Sequence, residues 1–125
     1  MRNVAKKIAT ASAIAVLMGS FTLAPQTVAA EEKKMTSVEA GKKVAENRKK
    51  GNCFACHAYE GAALAGNIGP PLVAMKARFP DRNKLRKQVS DPESNNPDTL
   101  MIPYGKHEVL SEKEIENVID WLYTL

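Results

Sequence analysis

Cys53-Phe54-Ala55-Cys56-His57 is the stretch on which the reading of this chain turns. C-x-x-C-H is the spacing by which a haem is attached covalently to a polypeptide. Two thiols three positions apart can each add to one vinyl group of the porphyrin. The histidine that follows is then held beneath the iron, where an imidazole nitrogen becomes the proximal ligand. A chain built around such a group must also supply export to a compartment where attachment occurs, a second iron ligand, an apolar wrapping and a surface for passing electrons.

Outward toward the N-terminus, Arg2, Lys6 and Lys7 precede an apolar stretch from Ile8 to Leu23, and Val28-Ala29-Ala30 offers small residues to a peptidase. This is the pattern of a secretory signal peptide. It predicts a leader over residues 1–30, cleavage near Ala30 and a periplasmic mature chain over residues 31–125. An uncleaved membrane anchor fits less well, because Thr10, Ser12, Gly19 and Ser20 interrupt a run already short for a span. The leader takes three basic residues, so the mature 95 residues carry 15 Lys+Arg against 14 Asp+Glu. Such a balance gives no case for nucleic acid or a membrane surface as partner. A domain this small is marginal without a staple or cofactor, and a buried haem would complete its core.

Helix signals surround the motif. Thr36-Ser37-Val38-Glu39 has the form of a capping box, with Val38, Gly41, Val44 and Ala45 following at helical spacing. This predicts a helix of about 14 residues, stopped by Gly51 and running straight into the cysteines. Residues 59–72, rich in glycine and proline, read as an irregular loop. A short helix is expected over Val73 to Phe79, ended by Pro80, and a second one capped by Asp81 and carrying Leu85 and Val89. Asp91 to Asp98 is turn chemistry throughout. Ser111-Glu112-Lys113-Glu114 is another capping box, and Ile115, Val118, Ile119 and Leu122 form one apolar stripe, widened by Trp121 and Leu125. No alternating stretch argues for strands. The fold class is therefore all-α, several short helices wrapped around one haem, with the first and last helices packed together where Gly41 meets the Trp121 face.

Other chemistries for the motif fare worse. A thioredoxin-like pair wants a βαβ pattern, and a structural zinc site wants four ligands where the chain has only two cysteines and two histidines. With both cysteines in thioethers no free thiol remains, so the chain cannot itself carry sulfur as a persulfide or act as a cysteine nucleophile. The second iron ligand must come from Met35, Met75, Met101 or His107. Met101 follows a long turn-rich strap and precedes Pro103-Tyr104-Gly105, which favours a sulfur held inward from a loop; Met75 and Met35 lie on or beside helices, and His107 on a surface loop. Methionine ligation raises the potential and points to electron transfer, whereas an open site would favour ligand chemistry. Gly69-Pro70-Pro71 is placed to fold back beside His57, and a carbonyl there would accept its second N–H. The charges are uneven: residues 42–50 and 76–87 are basic, and Glu108 to Asp120 acidic. Most such charges are solvated, although a basic ring near the haem edge could steer an acidic redox partner.

Three segments carry a resemblance. Gly51 to His57, Gly66-Asn67-Ile68-Gly69-Pro70-Pro71-Leu72, and Asn95 to Gly105, followed by Leu110 to Ile115 and an aromatic-Leu helix, resemble the SoxX family over nearly all of the mature chain. SoxX is the small monohaem subunit of the SoxAX cytochrome of bacterial thiosulfate oxidation. The resemblance implies a class I cytochrome c-like domain with one covalent haem c. Cys53 and Cys56 would bind the haem, His57 and Met101 would ligate iron, and the Pro70 carbonyl would orient His57. It further implies a non-catalytic electron-transfer subunit of an L-cysteine S-thiosulfotransferase. The expected partners are a larger SoxA-type haem subunit, which holds the catalytic site, the SoxYZ carrier, a soluble cytochrome c acceptor and a further small subunit that replaces missing extensions. Ile102 stands where the family often has proline after the methionine. The other readings are a free-standing periplasmic monohaem cytochrome c and a haem-free exported thiol or metal-binding module.

Overall fold

The computed structural model describes residues 34–125, so the signal-peptide reading and its boundary at Ala30 lie outside the described residues. Four helices follow in order: α1 (Ser37–Glu46), α2 (Met75–Arg78), α3 (Arg82–Ser90) and α4 (Glu112–Leu122), with short 3-10 turns at Cys53–Ala55 and Pro92–Ser94. No strand occurs among the described residues. The all-α expectation holds.

Both capping boxes form. The Thr36 and Ser111 hydroxyls accept from the amides of Glu39 and Glu114, whose carboxylates accept in return from the two cap amides. Asp81 caps α3 through the amide of Asn83 at 2.9 Å. The first helix is shorter than its pattern predicts. Asn47 ends α1 because its carboxamide accepts from the Lys49 amide at 2.9 Å, offering the backbone an alternative to the helix. Its carbonyl then takes the amides of Lys50 and Asn52, while Gly51 N–H returns to the Val44 carbonyl at 3.1 Å. Gly51 is thus pressed onto the end of α1 rather than simply following it. A Cβ at this position would lie 2.6 Å from Val44 O.

α1 crosses α4, and Gly41 permits the crossing. A Cβ on Gly41 would stand 1.9 Å from the carbonyl oxygen of Asn117, so the two backbones touch. The contact falls one turn before Trp121. Around it Ala45, Ile115, Val118, Ile119 and Trp121 are buried, and Tyr59 meets the Trp121 ring edge-on with centroids 5.1 Å apart.

α3 also packs on α4, under a lattice of charges. Arg82 binds Glu116 at 2.7 Å and Asp120 at 2.8 Å, and Arg86 binds Glu116 at 2.8 Å and also Glu112. Lys50 likewise pairs with Glu114. Part of the basic middle is therefore spent against the acidic end of the same chain.

Candidate functional site

A cavity of about 500 Å³ opens between two loops, within the range that holds cofactors. One wall is the motif: Cys53, Cys56 and His57, entered through Asn52 in the left-handed region (φ 47°). Leu85, Val89 and Leu122 supply an apolar floor, and the loop from Asn96 to Ile102, including Met101, closes the remaining side.

The loop over residues 61–72 is laced along the motif. Amides of Gly66, Gly69 and Leu72 donate to the carbonyls of Phe54, Cys56 and Ala58 at 2.7–2.8 Å. Two of these positions have no room for a side chain: a Cβ would lie 2.1 Å from Ala55 O at Gly66, and 2.4 Å from His57 Cε1 at Gly69. This lacing brings the Pro70 carbonyl to 2.6 Å from His57 Nδ1. A carbonyl can only accept, so Nδ1 carries a proton, and in the neutral ring Nε2 is then the nitrogen with the lone pair. The ring is oriented and tautomerically fixed, as an iron-ligating imidazole requires.

The cysteines are half-buried, and burial pushes the Cys53 thiol up to about 11. A redox-active or nucleophilic cysteine needs the opposite shift, toward thiolate at neutral pH. The site therefore gives no support to a thiol-exchange function.

Of the four candidates for a second ligand, the structure brings two to the cavity. Met101 is half-buried, with its amide donating to Thr99 Oγ1 at 3.2 Å. Met75 also lines the wall and is only 3 % exposed, so it belongs to the packed core as well. Met35 is 45 % exposed and His107 lies on the surface; neither lines the cavity. Two residues escaped the sequence reading. Arg78 donates to the Pro71 carbonyl at 2.8 Å and lies 3.6 Å from the Met75 sulfur, while Gln88 stands 3.6 Å from the sulfur of Met101. Both sit on helix faces that read as solvated. The helical spacing from Leu85 and Val89 was the available signal for Gln88.

The cytochrome c family profile matches residues 38–125. The chain belongs to the cytochrome c family. Membership implies a covalently attached haem c. The cavity fits one: a C-x-x-C pair at its wall, an imidazole with a free nitrogen, and glycines where the backbone must pass close to the ring. This cytochrome is similar to a crystal structure of SoxXA from P. pantotrophus, with a TM-score of 0.62 and 24 % identity, over 69 % of this chain and 79 % of that one. An uncharacterized lipoprotein of Aquifex aeolicus (strain VF5) is 34 % identical over 76 residues, which is 60 % of this chain. The cytochrome spans 37 % of that relative's length.

Proposed function

We propose that this cytochrome is the small electron-transfer subunit of a SoxAX-type thiosulfate-oxidising complex. Cys53 and Cys56 would hold the haem covalently, and His57 and Met101 would ligate its iron. A haem held this way supplies one reversible electron per turnover. The chain's own residues do the rest: the Pro70 carbonyl fixes the His57 tautomer, the Asn96–Ile102 loop presents Met101, and Leu85, Val89 and Leu122 keep water from the inner wall. The observation that carries the reading is a cavity lined both by His57 from the motif and by Met101 from the loop over residues 96–102.

The thiosulfate assignment goes further. It is supported by the Gly66–Leu72 and Asn95–Gly105 wording and by the likeness in fold to SoxXA. With both cysteines in thioethers no free thiol remains to carry sulfur on this chain. Coupling of thiosulfate to a cysteine of a SoxYZ carrier would occur on a larger SoxA-type haem subunit, and this chain would accept the electrons and pass them to a soluble cytochrome c. The basic, apolar leader over residues 1–30 and the lipoprotein relative support export to the periplasm.

Purification from the native host tests the assembly. Co-elution with a larger haem-bearing subunit is expected, and elution always alone would establish a free-standing electron shuttle instead. A pyridine haemochrome spectrum without covalent haem would overturn both. For ligation, Met101→Ala is expected to abolish the near-infrared Fe(III)–thioether band; survival of the band would exclude Met101.

A further inference from the structure

We infer that Gln88 is a positioning residue for the Met101 sulfur, held in its working orientation by Asn95. The inference rests on Met101 being the ligand proposed above. Three contacts carry it. The Gln88 side-chain nitrogen lies 3.6 Å from Met101 Sδ. The Gln88 oxygen accepts from the Asn95 carboxamide at 3.0 Å. The Asn95 backbone N–H donates to the Pro92 carbonyl at 3.0 Å, which anchors that residue's backbone at the end of a 3-10 turn.

The chemistry settles which end of each amide faces which partner. A thioether sulfur is a weak acceptor and never a donor. Turning Gln88 around would aim oxygen at sulfur, lone pair against lone pair, and would force Asn95 around as well. Only the sequence Asn95 N–H to Gln88 oxygen, and Gln88 N–H to Met101 sulfur, satisfies all three groups. One sulfur lone pair is thus engaged from the α3 side, which would leave the other for a bound metal. Together with the Thr99 contact to the Met101 amide, this holds the residue at both ends.

Two effects follow from an N–H directed at a ligand sulfur. It pins the side-chain rotamer, which makes replacement of the thioether by an outside ligand less favourable. It also withdraws electron density from the sulfur, and a poorer donor favours Fe(II) over Fe(III).

The test uses the full holoprotein with imidazole as the competing ligand. In Gln88→Ala, imidazole should bind Fe(III) roughly three- to tenfold more tightly, the equivalent of one neutral hydrogen bond, and the midpoint potential should fall. Gln88→Glu preserves the shape but, once ionised, offers no donor, so it should resemble Gln88→Ala rather than the wild type. Asn95→Ala keeps the donor and frees its orientation, and should fall between. Unchanged imidazole affinity and potential in Gln88→Ala and Gln88→Glu would overturn the inference while leaving Met101 as ligand. Should Gln88→Ala fail to fold, the isosteric Gln88→Glu decides alone. A near-infrared band that persists in Met101→Ala would remove the premise itself, so the two failures are distinguishable.

Discussion

At the scale of single residues, the site needs positions that stay small, and the fold needs tyrosines that stay protonated. Gly69 is the sharpest case, because the space a Cβ needs is already filled by the His57 ring. Gly69→Ala is expected to cost about 1–3 kcal/mol as an overpacking change and to lower the covalent haem per chain. Thermal melts and pyridine haemochrome content check this, and wild-type values in both would refute it. Tyr59 offers a second test. Burial, and then its hydrogen bond to Glu46 at 2.8 Å, push its hydroxyl up to about 12. The folded state therefore keeps a proton that the unfolded chain releases near pH 10, so this contribution is complete below pH 10 and is lost as pH rises toward 12. Burial raises Tyr104 as well, in the same sense. Tyr59→Phe should flatten part of that alkaline decline in denaturation curves; an identical slope would remove Tyr59 as its source.

At the scale of elements, the crossing of α1 and α4 is set by one missing side chain. Gly41→Ala places a methyl against the Asn117 carbonyl and forces the helices apart. A loss of about 1–3 kcal/mol in urea unfolding is expected, although alanine is otherwise the better helix former. A gain in stability would show that the backbones have room to spare. The helix ends were legible because capping boxes are local: Thr36 with Glu39 and Ser111 with Glu114 act within one turn. The prolines and Asp81 punctuated α2 and α3 for the same reason. The end of α1 differs from the expected stop at Gly51 because the Asn47 side chain competes with the helix. The cysteine motif marked one wall of the cavity, whereas Gln88 reaches the Met101 sulfur across 13 positions. Charge pairing was hidden in the same way, since Arg82 and Glu116 meet across 34 positions.

At the scale of the whole molecule, the ion lattice between α3 and α4 links stability to pH. Arg82, then Arg86, hold the Glu116 carboxyl below its usual range, and Ser37, then Arg82, do so for Asp120. Depressed carboxylates stabilise the fold above the unfolded value, near 4, and that contribution is lost as pH falls through and below it. The melting temperature should therefore drop on acidification from about pH 5 toward pH 3. Glu116→Gln should shrink that drop, and added salt should narrow the difference at neutral pH because these pairs are partly exposed. Matching acid profiles for variant and wild type would sink the account.

The buried Tyr104 hydroxyl donates to the Gly51 carbonyl, joining the strap that bears Met101 to the chain that enters the cysteine motif. Its consequence is kinetic. From Cys56 to Met101 the chain runs 45 positions, but from Met101 to the Tyr104 tether only three. A sulfur released from its place would search the small volume allowed by a three-residue leash rather than that of a long free segment, whose closure is entropically dearer. Detachment and return would then be a local, first-order event, with no refolding between them.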